Sequence, residues 1–212
     1  WMGITRTGRI AALTNYRDPA AHRPGAPSRG GLVPRFLQGS RSPDAFLRSL
    51  LREKTPYNAF NLLAGDRSGL CWASNRVQEP RQLEPGTHGI SNRLLDTPWP
   101  KVIRGKRMLE ERLASPEGPS VESLMALLED RTVPPDRDLP ETGMGLRWER
   151  ILAPIFIRSP GYGTRSSTVV LIDRDERVIF VERTHDPGLE GDREVRYSFA
   201  SGGSATGRAH AP

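Results

Sequence analysis

Ile10-Ala-Ala-Leu-Thr-Asn-Tyr-Arg17 is a short apolar run that ends in a polar, hydrogen-bonding tip. Preceded by Gly3 to Thr5 and a turn at Arg6-Thr-Gly8, it predicts a β-hairpin whose second strand carries donors and charge to a sheet edge. Gly89-Ile-Ser-Asn92 and Gly161-Tyr-Gly-Thr-Arg-Ser-Ser167 repeat the form. Three polar tips on short strands are how a sheet builds a site at its rim.

The flanking segments predict what surrounds these strands. Ser28 caps a helix running through Gln38, with Leu32, Val33, Phe36 and Leu37 on one face. Ser42 caps a second, with Pro43 at its first position and Phe46, Leu47, Leu50 and Leu51 at core spacing. Tyr57 to Ala64 and Leu70 to Ser74 form a second hairpin around Gly65-Asp-Arg-Ser-Gly69, and Thr87 to Ser91 is a short strand. Helices follow at Lys101 to Leu113 and after Ser120, then a long polar loop from Arg131 to Gly145. Strands at Ile151–Ile157, Thr168–Asp173 and Val178–Arg183 come next, with an edge strand at Val195–Phe199 and a disordered tail from Ala200 to Pro212. There is no βα alternation and no repeat. The expected class is α+β, two mixed sheets covered by helices, in a single domain over residues 1–199.

Composition narrows the function. The 212 residues contain one cysteine, Cys71, so no internal disulfide framework forms and a reducing, cytoplasmic compartment fits. The histidines His22, His88, His185 and His210 are far apart, with no local zinc spacing. No apolar run is long enough for a membrane span. The net charge of +6 is uneven: residues 1–113 carry 19 Lys+Arg against 9 Asp+Glu, the remainder 12 against 16. Yet the arginines are dispersed and no nucleic-acid motif accompanies them, so a nucleic-acid partner is not expected.

The candidate site residues each have two readings. Asn15 and Asn92 at strand ends can donate to a developing oxyanion or simply form turns. Arg165 beyond the glycine loop can hold a carboxylate or oxyanion, or make a surface ion pair. Tyr16 and Arg17 either gate a pocket or form a solvated tip. Asn58 and Asn61, in Tyr57-Asn-Ala-Phe-Asn61, line a pocket or open a strand. Arg29 sits at a helix start suited to an anion, though Ser28 is explained by capping alone. Tyr162 belongs to a glycine loop that precedes a strand, where a phosphate cradle would precede a helix. Trp99 reads as a packing anchor, and Cys71 as a buried strand residue without a neighbouring base.

Taken together, Trp1-Met-Gly-Ile4, Ala12-Leu-Thr-Asn-Tyr-Arg17, Ser28-Arg-Gly30, Tyr57-Asn-Ala-Phe-Asn-Leu62, Gly89-Ile-Ser-Asn92, Thr97-Pro-Trp-Pro-Lys101, Pro160-Gly-Tyr-Gly-Thr-Arg-Ser166 and Phe180-Val-Glu-Arg183 resemble the NRDE family, that of transport and Golgi organisation protein 2. The resemblance runs in order from residue 1 to about residue 199. It implies an αββα four-layer sandwich of the N-terminal nucleophile hydrolase type. It also implies two functions: a non-enzymatic carrier or trafficking factor for haem, acyl-lipid or acyl-CoA, linked to Golgi organisation and secretion; or an N-terminal-cysteine amide (C–N) hydrolase resembling choloylglycine hydrolase and penicillin acylase. In the second, Asn15, Asn92 and Arg165 would support the oxyanion. In the first, Tyr16, Arg17, Arg29, Asn58, Asn61 and Tyr162 would line the ligand site, with haem as cargo rather than cofactor. Family members begin with Met-Cys and carry the Asn-Arg-Asp-Glu signature ahead of the segment at which this chain starts. The expectation is therefore an N-terminally truncated domain without its first strands or nucleophile, hydrolytically inactive and of low stability, and the carrier reading is preferred.

Overall fold

The computed structural model describes residues 1–53, 55–185 and 193–202. Strands β1 (Met2–Ile4) and β2 (Ile10–Asn15) form the first hairpin, with Met2 opposite Ala12 and Ile4 opposite Ile10. Helices α1 (Leu32–Leu37) and α2 (Pro43–Arg52) follow, then β3 (Phe60–Asp66), β4 (Gly69–Ser74) and β5 (Arg81–Gln82). These five strands make one antiparallel sheet in sequence order. Strand alternation puts Ala11, Leu13, Leu62, Ala64, Cys71 and Ala73 on one face, where they pack with Phe36, Phe46, Leu47 and Leu50 of α1 and α2. Each fully buried large side chain in this layer, Phe36 or Leu47 for example, contributes about 1.5–3 kcal/mol. The opposite face of the same strands presents Ala12, Thr14, Asn61 and Leu63, and these residues line a cavity.

Ser42 caps α2, its hydroxyl accepting from the amide of Ala45, and Pro43 occupies the first turn. Ser28 accepts from the amide of Gly30, but this cap opens a 3-10 turn, Arg29–Gly31, with the α-helix beginning only at Leu32.

Helices α3 (Pro100–Leu113), α4 (Val121–Leu128) and α5 (Leu146–Leu152) lead to a small hairpin, β6 (Arg158–Ser159) and β7 (Tyr162–Gly163). Strands β8 (Ser166–Ile172), β9 (Arg177–Thr184) and β10 (Arg193–Ala200) form a second antiparallel sheet in the order β10-β9-β8. Val169, Leu171, Ile179 and Val181 of that sheet pack under Val121, Leu124, Met125 and Leu128 of α4. Helices therefore cover one face of each antiparallel sheet, an α+β architecture. At one end the sheets are tied by Arg67 to Glu176 and by the amide of Gly202 to the carbonyl of Arg6.

Two strand expectations fail. Ile151–Ile157 is not a strand: its first two residues complete α5, and the rest is irregular chain around Pro154. Thr87–Ser91 forms no ladder; side chains and isolated backbone bonds hold it. The edge strand at Val195–Phe199 exists and is longer, as β10. Of the tail from Ala200, residues 203–212 lie outside the described residues.

Candidate functional site

The tip of β2 meets a strap formed by residues 88–93. The Thr14 hydroxyl donates to the carbonyl of Ser91 (3.0 Å), and the Asn92 amide donates to the carbonyl of Asn15 (3.0 Å). The backbone amide of Arg17 returns a bond to the carbonyl of Asn92 (2.7 Å). Beneath them Asn61, nearly fully buried on β3, donates to the carbonyl of Arg93 (2.8 Å) and to Thr14 (3.2 Å), and accepts from the Trp72 indole (3.3 Å). Buried polar groups require such partners, so this network fixes how the strap lies on the sheet.

Asp96 anchors the other side of the strap. Its carboxylate accepts from His88 (2.9 Å), the amide of Gly89 (2.9 Å) and Lys106 on α3 (2.8 Å). Partial burial opposes its ionisation, but the bonds from Lys106, His88 and Gly89 outweigh that and hold the carboxyl at about 2. The His88 imidazole is pushed up by Asp96 and by the carbonyl of Glu84.

Two cavities flank the strap and share His88, Ile90 and Leu109. One, about 580 Å³, has Thr14 and Asn61 in its floor and Leu63, Leu70 and Leu113 in its walls. The other, about 500 Å³, lies between α3, α4 and β8, with Val102, Leu127, Ile155 and Val170 in its walls and Ser91, Lys101 and Thr168 as polar points. Both volumes fall in the range of small-molecule sites.

Lys101 and Lys106 both line the second cavity, and Lys106 is paired with Asp96. Burial, reinforced by the neighbouring Arg17 charge and only partly offset by Glu149, lowers the Lys101 amine to about 8. Near Lys101, Arg17 forms an ion pair with Glu149 at 2.7 Å, the two side chains only 9% and 5% exposed. Arg17 also lies over the Trp99 ring, 5.0 Å from its centroid. Glu149 accepts further bonds from the amide and hydroxyl of Thr142.

Of the residues singled out in the sequence, Asn15, Asn92, Asn61, Tyr16 and Arg17 come together at this rim. The Tyr16 ring lies against the guanidiniums of Arg76 and Arg93. Asn58 does not join the site: both ends of its amide bind the backbone of Arg23, pinning the loop after β2. Arg29 donates to the carbonyl of Ala59 and is likewise a strut. Tyr162 is exposed on β7, edge-on to Trp148. Arg165 is exposed before β8; its carbonyl accepts from the amide of His185, and it makes no hydrogen bond or ion pair with Asn15 or Asn92. Cys71 faces the α2 side of its sheet, where burial pushes the thiol up.

Sequence reasoning missed Lys101, Asp96, His88 and Glu149. One signal was available: in a chain with three lysines, Lys101 and Lys106 both fall on α3. Among the described residues no cluster of His, Cys, Asp and Glu suits a metal ion, and no helix is long and apolar enough to cross a membrane.

The family model for transport and Golgi organisation 2 matches residues 1–187. The transport and Golgi organization protein 2 homolog of Bos taurus is 37% identical over 197 residues, covering 87% of this chain and 71% of that protein. The Homo sapiens homolog is 36% identical over the same shares. The transport and Golgi organization protein 2 of Drosophila melanogaster is 26% identical over 202 residues. Matched along most of its length by that family model, and by relatives of more than one-third identity, the chain belongs to the transport and Golgi organisation 2 family.

Proposed function

We infer that the protein is a non-enzymatic carrier of an amphipathic anion, haem or an acyl-lipid such as acyl-CoA, acting in the transport and Golgi-organising processes for which its relatives are named. The observation that carries this reading is the cavity of about 500 Å³ with the largely desolvated Lys101 among its lining residues. Apolar walls with Lys101 and Lys106 among them, the latter already paired with Asp96, suit a ligand with a hydrocarbon or macrocyclic body and a carboxylate or phosphate head. The two helix-covered sheets are consistent with an αββα sandwich of the N-terminal nucleophile hydrolase type, and the single buried cysteine with a cytoplasmic setting. The carrier is favoured over an amide hydrolase using Asn15, Asn92 and Arg165 because the Asn92 amide already donates to the backbone of Asn15, and among the described residues Arg165 makes no hydrogen bond with either.

The test is titration with haem, followed by its absorbance, and with a fluorescent acyl-CoA. Lys101→Met is expected to weaken binding about tenfold through loss of one charge-assisted contact. Because the amine loses its proton near pH 8, parent affinity is expected to fall from pH 7 to pH 9 while that of Lys101→Met stays level. Binding indifferent to Lys101, or amide turnover abolished by Asn92→Ala, would overturn the carrier reading.

A further inference from the structure

Strand β10 ends the second sheet, whose order is β10-β9-β8, so one of its edges pairs with no other described strand. Every residue from Arg193 to Ser198 is exposed, Val195 at 46% and Tyr197 at 57%. An eight-residue open edge is a template for a further strand, and folded proteins normally keep such edges short, bulged or covered. Which backbone groups point outward follows from two bonds at the ends of the sheet. The amide of Ser201 donates to the carbonyl of Glu176, and the amide of His185 to that of Arg165. With Ala200 opposite Arg177 and Ser166 opposite Thr184, both bonds turn the odd-numbered residues of β10 toward β9. The N–H and C=O groups of Glu194, Arg196 and Ser198 therefore lie along the free edge.

The same alternation sorts the side chains. Glu194 and Arg196 lie on the α4 face, where Glu194 pairs with Arg183 and Arg196 with Glu122 near the start of α4. Val195 and Tyr197 lie on the opposite face, the Tyr197 ring 6.3 Å from that of Phe180. A two-fold axis normal to the sheet lays β10 antiparallel to its own copy and keeps each face continuous. Only registers that set outward-facing residues opposite one another can then form a ladder. The register centred on Val195 places Glu194 opposite Arg196 of the second copy on both sides of the axis, and Arg193 opposite Tyr197. Centring on Glu194 or on Arg196 sets like charges face to face. Centring on Tyr197 forfeits both charge pairs and runs onto Ala200, beside the point where Gly202 bonds to Arg6 of the first sheet.

We propose that β10 pairs with the β10 of a second copy of this chain, antiparallel about Val195, so that the sheet continues from one copy into the next. Backbone hydrogen bonds form within each Glu194–Arg196 pair, and the carboxylate and guanidinium of the pair meet on the α4 face. Because Glu194 keeps Arg183 and Arg196 keeps Glu122, the seam becomes a run of alternating charge. Val195 meets its counterpart at a position without ladder bonds, where Cα atoms stand about 4.5 Å apart. A second copy suits this edge better than an unrelated strand because the charges of β10 complement themselves in that register. The seam is short, so the association is weak and depends on concentration. The cavity bordered by β8 lies at the other edge of the sheet, so the pairing stands apart from the carrier reading.

Sedimentation velocity over a concentration series tests the proposal. The chain is expected to pass reversibly from monomer to dimer. Glu194→Arg and Arg196→Glu each set like charges opposite one another in the seam, and each is expected to weaken the dimer by about tenfold or more. An equimolar mixture of the two variants restores opposite charge in both pairs, so the dimer is expected to return, which also shows that both variants fold. Val195→Cys is expected to cross-link to its copy on air oxidation, Cys71 being buried, whereas Tyr197→Cys, opposite Arg193, is not. A chain that stays monomeric at its highest soluble concentration, a dimer indifferent to both charge variants, a mixture that fails to recover, or no cross-link through Val195→Cys would overturn the proposal. So would an edge that ignores its own copy yet captures an extended peptide of unrelated sequence. The charge variants are expected to bind haem and acyl-CoA as the parent does, which separates failure here from failure of the carrier reading.

Discussion

Asp96 occupies the left-handed region at φ 55° and accepts from His88, Gly89 and Lys106, so one side chain answers for both a turn and an ion cluster. Its folded pKa of about 2 lies below its ordinary value. The stabilisation is therefore complete above about pH 4 and is lost as pH falls through 2, an effect of about 2 kcal/mol. Asp96→Asn keeps the backbone preference, because asparagine tolerates positive φ, and removes only the charge. Urea unfolding is expected to show the variant about 2 kcal/mol less stable at pH 7, with the gap closing towards pH 2. Asn15 was legible as a strand tip because an apolar run ending in a polar residue has a direct geometric meaning, whereas Asn92, read the same way, ends a segment that forms no strand. Asp96 and Lys101 were not legible, because a charged residue in a polar stretch reads the same whether it faces water or crosslinks two elements.

At the scale of the element, α5 shows where pattern reading misleads. Ile151-Leu-Ala-Pro-Ile-Phe-Ile157 is nearly all apolar, and a short apolar run fits a buried strand and a buried helix end equally well. The helix starts instead behind Gly145, at φ 80°, so that Glu149 reaches Arg17 inside the fold. The helices around Ser42 and Ser120 were legible because a cap and core spacing coincide there. The Arg17–Glu149 pair locks α5 to the tip of β2. Glu149→Gln is expected to cost about 3–5 kcal/mol by leaving Arg17 buried and unpaired. Arg17→Met combined with Glu149→Gln is expected to recover much of that loss in denaturant titrations, which separates a buried charge from lost packing.

For the whole molecule, two helix-covered sheets and the excess of basic residues in the first half could be read from composition and period. The two cavities could not, because they lie between elements distant in sequence. Their occupation is expected to raise stability by mass action, about 2.7 kcal/mol at a ligand concentration of 100 Kd. In a chain of this size that is a rise in Tm of roughly 5–10 °C. Differential scanning fluorimetry with haem or acyl-CoA checks it, and Lys101→Met is expected to shrink the shift.

The tie between the two sheets carries a consequence for biogenesis. Arg67 reaches Glu176 and the carbonyl of Ser201, partners 109 and 134 positions further along. At ordinary synthesis rates roughly 5–25 seconds separate the emergence of the two ends of that contact from the ribosome. During that interval the five-stranded sheet has emerged whole while the tie to the second sheet is still missing. Closing the long loop between the sheets is thus a late event opposed by chain entropy.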